Sequence, residues 1–327
     1  MYINDFQAPV TIEEKKDIRK NYNKGAGALL LFFVISNIVA LCFTYFYGHI
    51  LADKGVSSDE INRLFSTMTT ELLALNIVMA VISYPLAIKL GCFIQKIKVK
   101  TFFKPTVISG KFLLKAIVVT LGVQAIGSYL SMLVTVIAKL INVELITLDT
   151  SLNTSLKYNV LLFLLSCVSA PIFEELLFRG VVLRAFSRVN VNFGIIMSAF
   201  LFAIFHGNIP QAINAFFVGI VLAYVAVKTG SVIPCIIMHF CANFNGMIQQ
   251  VIMSKNYLGA IIYSNVLMIA FLTAAIIILI TDRKDFNIIK TNQPFKNRGV
   301  KILLSSWTFW LAIIAYAYTI FKSIKIG

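Results

Sequence analysis

The stretch YNVLLFLLSCVSAPIFEELLFRGVVLRAF, residues 158–186, decides the fold. It is longer than the ~20 apolar residues that carry a helix across a bilayer core. Yet it holds Glu174 and Glu175 side by side, with Arg179 one turn further on. A charge at the bilayer centre costs about 2.5–3.5 kcal/mol on insertion scales, so such residues face a bundle interior and mark a site.

Similar runs recur on either side. Nine apolar segments span roughly 26–48, 72–94, 112–140, 158–186, 191–206, 211–228, 231–253, 257–281 and 302–323. Of the 327 residues, 59% are hydrophobic and 13% charged, against about 25% charged in soluble domains. In lipid, only helices and closed barrels satisfy the backbone, and runs this long mean helices. The chain therefore reads as all-α, a polytopic transmembrane helical bundle of about 8–9 spans. The fifth and sixth segments are short and are separated by His206-Gly207-Asn208-Ile209-Pro210, so a broken or re-entrant pair also fits them.

The net charge of +15 would suggest nucleic acid on a soluble protein. Here the Lys and Arg sit in short loops between apolar runs, which the positive-inside rule explains without nucleic acid. Lys15, Lys16, Arg19, Lys20 and Lys24 precede the first span; Lys96, Lys98, Lys100 and Lys104 follow the second; Arg184 and Arg188 end the fourth. Arg283, Lys284, Lys290, Lys296, Arg298 and Lys301 precede the ninth. Alternation over nine spans puts all four groups on one side, read as cytoplasmic together with the N-terminus. Lys322 and Lys325 then fall outside, which leaves the last span the least well supported. Residues 1–24 have no signal-peptide pattern, and the first apolar run is too long for a signal core. The expected division is a cytoplasmic segment 1–25, N-terminal spans 26–157, a catalytic core 158–253 and C-terminal spans 254–327.

The five cysteines form no C-x-x-C pair, and most lie in apolar runs as small hydrophobes. The three histidines are His49, His206 and His239. His49 sits at the outer end of the first span and takes no assigned role. Phe202 and His206 form an i, i+4 pair, as do His239 and Asn243. Cys241 lies about 200° round the helix from His239, which argues against a Cys-His-Asn nucleophile. Glu175 and Arg179 share a helix face and can pair. Glu174, about 100° away, can point into a cavity, and Pro171 removes a backbone donor one turn earlier, which predicts a kink.

At ~1.5 Å per residue, Glu174 lies about 20 Å from the cytoplasmic boundary, His206 about 21 Å, His239 about 12 Å and Asn243 about 18 Å. All four depths fall inside a hydrocarbon core of ~30 Å, so three helices can converge there. Two carboxylates, two imidazoles and an amide are a set for activating water: a carboxylate as general base, with imidazole and amide as oxyanion donors. Neither Ser nor Cys is placed as a nucleophile. His and carboxylate also ligate zinc, although H-E-x-x-H is absent. The pattern leaves metal-bound and metal-free water both open.

Other polar and small residues have plainer uses. Gly219 and Gly230 read as helix-contact and turn glycines. Asn208, Gln211 and Asn214 cap the short spans or line an aqueous path. Arg184 and Arg188 read as interfacial anchors, and Asn243 has interhelical hydrogen bonding as an alternative use.

Glu174-Glu175-x-x-x-Arg179, Phe202-x-x-x-His206 and His239-x-x-x-Asn243 resemble the three motifs of the CPBP family. That family comprises type II CAAX prenyl proteases and bacteriocin-processing or self-immunity proteins. Gly219 to Tyr224, Thr229-Gly230-Ser231 and Pro234 to His239 are similar too, and the resemblance covers about residues 158–250. It implies an intramembrane endopeptidase acting on a membrane-embedded or lipid-anchored peptide or protein within the lipid bilayer. Glu174 takes the place of the base that activates water, with His206 as its partner. His239 and Asn243 take the place of the oxyanion donors, and Glu175 and Arg179 that of support for the first glutamate. No motif position departs from the family pattern. The family has been called metalloprotease, but its mechanism reads as a glutamate protease that requires no cofactor. Zinc on Glu174, His206 and His239 is the alternative, and a non-enzymatic transporter or immunity protein is the second. Lys-, Ile- and Asn-rich usage points to a bacterial plasma membrane.

Overall fold

The computed structural model describes residues 12–66, 69–103, 108–147, 151–188, 190–287 and 298–327. Lys104, Lys290 and Lys296, counted above in the charge pattern, lie outside them. The described residues form an all-α bundle. Its helices are α1 (Ile12–Asp53), α2 (Ser58–Ser66), α3 (Thr70–Gln95), α4 (Gly110–Leu140), α5 (Leu156–Ser187) and α6 (Val191–Phe205). They continue with α7 (Ile209–Thr229), α8 (Ile233–Lys255), α9 (Tyr257–Thr281), α10 (Arg298–Leu304) and α11 (Trp307–Lys322).

Eight of the nine apolar segments each fall on one helix, and the ninth, 302–323, is divided between α10 and α11 at Ser305-Ser306, where Ser306 caps the second helix. Six helices are long and apolar enough to cross a membrane: α1, α3, α4, α5, α7 and α9. α6 is apolar but has 15 residues, about 22 Å at the helical rise and short of a ~30 Å core. α11 has 16 residues. α8 is long enough, at 23 residues, but its polar positions lower its hydropathy. The charged segment expected ahead of the first span is the first part of the same helix, and it buries Asn21 and Tyr22.

Helix starts follow local chemistry. The side chains of Thr69, Ser155, Asn190, Asn208, Asn256 and Ser306 accept hydrogen bonds from backbone N–H groups in the first turns of α3, α5, α6, α7, α9 and α11. Such caps satisfy donors that a helix leaves unpaired. Pro210 and Pro234 sit in the first turns of α7 and α8, where a missing N–H costs nothing. Gly230 ends α7 with φ +66°, the left-handed cap that glycine adopts without strain.

Helices in lipid associate through close packing rather than exclusion of water, so small residues sit at the contacts. A Cβ on Gly122 of α4 would lie 2.6 Å from the Phe271 carbonyl oxygen of α9. A Cβ on Gly219 of α7 would lie 3.1 Å from Ala199 Cα of α6, so the expected contact glycine is one. The largest buried cluster gathers Tyr22, Tyr84, Phe102, Phe178, Phe186 and Phe202 around α5. Outward positions such as Ile38, Leu41, Val266, Ile269 and Ile277 are exposed apolar side chains, as a lipid-facing surface requires.

Two short strands, Val143–Leu145 (β1) and Ile324–Ile326 (β2), pair antiparallel with Val143 opposite Ile326. They bring the end of α11 beside the end of α4. At the other end of α4, Phe103 and Ser231 form an antiparallel bridge, and Val232 N–H donates to the Phe102 carbonyl at 3.0 Å. Arg184 and Arg188, expected as anchors in the interface, also clasp neighbouring segments. Arg184 donates to Thr101 Oγ1 and its carbonyl at 3.0 and 2.7 Å, and Arg188 donates to Asn21 Oδ1 at 3.1 Å and the Gln95 carbonyl at 3.4 Å.

Candidate functional site

α5 is not a uniform helix. Leu164–Ser169 and Leu176–Val182 run in π register, and the α-helical turn Ala170–Glu175 lies between them. Pro171 shapes this. Ala170 N–H reaches back to the Leu165 carbonyl, five residues before it. In that register the Ser166 carbonyl would take its donor from residue 171, and proline has none. Asn243 Nδ2 of α8 donates to that carbonyl instead, at 2.7 Å. The expected kink is thus realised as π turns around the two glutamates, a form common at functional sites.

The two carboxylates have different surroundings. Glu175 is fully buried, with Oε2 3.0 Å from Arg179 Nε and Oε1 2.9 Å from His239 Nδ1. Arg179 is held further by the Gly219 carbonyl, which accepts from Nη2 at 3.2 Å, and by the Phe202 ring, whose centre lies 4.4 Å from its guanidinium carbon. The cation thus has a carboxylate, a carbonyl and a π face around it, which offsets its desolvation. Glu174 is buried beside Tyr84 of α3, whose hydroxyl donates to Oε1 at 3.5 Å. Its Oε2 has no hydrogen-bond partner among the described residues.

His206 sits in the turn after α6, where Gly207 takes φ +70° to reverse the chain into α7. Its Nδ1 lies 2.8 Å from the Phe202 carbonyl. A carbonyl only accepts, so Nδ1 carries the proton and Nε2 remains for another partner. His239 is fixed likewise, through Nδ1 by Glu175. Both histidines and Asn243 line a cavity of about 440 Å³ that also borders Gln124, Ser128 and Asn214. Glu174, expected to point into a cavity, is not among its lining residues and contacts Tyr84 instead; Glu175 and Arg179 are also outside the lining, with Glu175 held against His239. Asn208 caps α7, while Gln211 and Asn214 line the cavity.

The sequence reading passed over Tyr84 and the polar side of α4. Gln124, Ser128 and Ser131 recur at i, i+4 and i+7 in an otherwise apolar span, and all three line the cavity. That stripe was a usable signal. Tyr84 had no such signal, since a tyrosine in an apolar run is ordinary packing.

Zinc would need Glu174, His206 and His239 together. The free Nε2 of each histidine suits a metal. Among the described residues, however, no three His, Cys, Asp or Glu side chains gather closely enough to hold one. The donor set in this geometry does not fit zinc.

Residues 156–245 match the family model described as type II CAAX prenyl endopeptidase Rce1-like. This supports the resemblance to the CPBP, or CAAX protease, family across the segment that carries the three motifs. The family implies a protease acting on membrane-associated peptides. Comparison with curated proteins gives no match, and neither does comparison with solved structures.

Proposed function

We propose that this chain is an intramembrane endopeptidase that cleaves a peptide bond of a membrane-embedded or lipid-anchored substrate with water activated by Glu174. One observation carries the reading: Glu175 is tied at Oε1 to His239 and at Oε2 by an ion pair to Arg179, while Glu174 Oε2, also buried, has neither a hydrogen bond nor an ion pair among the described residues. A buried carboxylate oxygen left without a partner in a native fold needs an explanation, and beside two histidine-bearing helices a bound water to activate is the one we adopt.

In the proposed reaction, Glu174 Oε2 takes a proton from water as the water oxygen attacks the scissile carbonyl carbon. His206 Nε2 accepts the second water hydrogen and orients the nucleophile. The oxyanion of the tetrahedral intermediate is held by the Nδ2 hydrogen of Asn243 that Ser166 does not use, and by the Nε2 hydrogen of His239 in its imidazolium form, whose Nδ1 hydrogen goes to Glu175. Glu175 fixes the His239 ring, and Arg179 fixes Glu175. The C–N bond then breaks, and Glu174 returns its proton to the leaving amine. The catalytic core is residues 158–253. The water is metal-free, and the basic loops and N-terminus face the cytoplasm of a bacterium. Prenylated tails, leader peptides and peptide pheromones are the substrate classes.

The test uses purified protein in lipid vesicles with a set of fluorogenic lipid-anchored peptides. Glu174→Gln keeps the shape and removes the base, so cleavage should fall by about 10²–10⁴-fold. Wild-type rates in the Gln variant would refute the mechanism. Metal content is measured on the same preparation; full activity with substoichiometric zinc is expected, and stoichiometric zinc whose removal abolishes cleavage would overturn the metal-free water. Proton flux across the vesicles with no cleavage by wild type would favour the transporter reading.

A further inference from the structure

A second concave site lies away from the catalytic cavity, along the first half of α1. It is a groove of about 590 Å³, within the ~300–1,000 Å³ of small-molecule sites. Its mouth is cationic: Lys16, Arg19, Lys20 and Lys24 all line it. Their spacing of three, four and eight residues from Lys16 places them on one helix face. None of the four makes an ion pair with a carboxylate within 4.0 Å among the described residues. Glu13, Glu14 and Asp17, on the same turns, do not line the groove.

Beyond the cations the lining becomes apolar. Gly27, Leu30, Leu31, Val34 and Ile94 continue it further along α1, with Val34 and Ile94 exposed at the outer surface. From Lys24 to Val34 the helix rises about 15 Å, long enough to lay part of an acyl chain. One wall is the start of α11, with Trp307 and Thr308. That wall is pinned: Asn23 Oδ1 accepts from Ser306 Oγ at 2.7 Å and from Thr308 Oγ1 at 3.0 Å. Gly27 supplies the depth, since a Cβ there would meet only Thr308 Cγ2, at 3.9 Å. Trp307 is exposed at the rim, the place an indole takes at a headgroup boundary.

We infer that this groove is a binding site for one anionic phospholipid, with its phosphate among the four cations and one acyl chain along Leu30, Leu31 and Val34. Charge complementarity selects the headgroup, because unpaired cations beside an apolar channel suit a phosphodiester attached to a hydrocarbon chain. Basic pockets between transmembrane helices recognise anionic headgroups in this way. A soluble phosphate would leave the apolar half unused, and a neutral lipid the cationic half.

The test is native mass spectrometry of the full chain released from nanodiscs of mixed phosphatidylglycerol and phosphatidylcholine. Wild type should retain one phosphatidylglycerol per chain in preference to phosphatidylcholine. The variant Lys16→Gln/Arg19→Gln/Lys20→Gln/Lys24→Gln should reduce that retention by at least about tenfold. Lys15→Gln, outside the groove, should leave it unchanged. Gly27→Leu fills the channel with every charge in place and should also abolish retention. Retention that survives both the quadruple and the Gly27→Leu changes would overturn the site. So would an equal loss in Lys15→Gln, which would mean general surface charge. So would loss in the quadruple variant with full retention in Gly27→Leu, which would mean a headgroup contact without a chain site. If the quadruple variant does not fold, Arg19→Gln/Lys20→Gln changes two exposed side chains and carries the same two-sided reading.

Discussion

Glu174 and Glu175 are neighbours in sequence and opposites in environment. The i, i+4 pairing of Glu175 with Arg179 could be read directly, because helical period puts the two on one face. The hold of Glu175 on His239 could not, since 64 residues separate them and nothing local specifies the rotation of α8 against α5. This buried pair sets a stability prediction. Arg179→Met leaves the Glu175 carboxylate buried without its cation, and should cost about 3–5 kcal/mol. Denaturant titration of the detergent-solubilised protein measures it. Arg179→Lys should recover only part of the loss, because an ammonium cannot hold Glu175, the Gly219 carbonyl and the Phe202 face together as a planar fork does. A Met variant as stable as wild type would show that the ion pair is dispensable.

At the scale of the element, α5 shows how one proline is accommodated. Sequence reasoning expects Pro171 to free the carbonyl four residues back, that of Cys167, and to kink the helix. The π register moves the freed acceptor to Ser166, and Asn243 satisfies it. Asn243 therefore carries both uses considered from the sequence: an interhelical hydrogen bond on one N–H, and a second N–H for the proposed oxyanion. Asn243→Ala should destabilise by about 1–3 kcal/mol by orphaning a buried carbonyl. Pro171→Ala restores an N–H in register with Ser166, so the same Asn243→Ala change should cost less in that background. A double-mutant cycle reads the difference; additive effects would show that the two residues do not share the Ser166 carbonyl.

Across the whole molecule, contacts between segments distant in the sequence tie helix ends together. Lys115, near the start of α4, lies 3.1 Å from Asp282 and 2.8 Å from Asp285, just after α9. Tyr224 of α7 donates to the Asn287 carbonyl at 3.0 Å. The hydrogen bond from Lys115 holds the Asp285 carboxyl below the usual aspartate range. A depressed value in the folded state means stabilisation that is complete above the unfolded value of about 4 and is lost as pH falls below it. Above about pH 4, Lys115→Met should therefore lower the melting temperature slightly, and it should leave the most acid points unmoved, so that the fall from neutral to acid pH becomes shallower; the change is small because exposed pairs contribute little. An unchanged fall from neutral to acid pH would show that this tie does not sense pH.

The amino-acid sequence alone was enough for the helical membrane bundle, the nine apolar segments and the polar residues that form the candidate site. Lipid offers the backbone no hydrogen bonds, so length and apolarity suffice to specify helices, and a buried charge is too costly to be incidental. Only the tertiary structure decided which partner each polar group takes: Tyr84 for Glu174, His239 and Arg179 for Glu175, Ser166 for Asn243, and the polar stripe of α4 for the cavity wall. Those pairings depend on how helices far apart in the chain rotate and pack against one another. No local periodicity specifies that rotation; the close contacts of small residues and the register of α5 do.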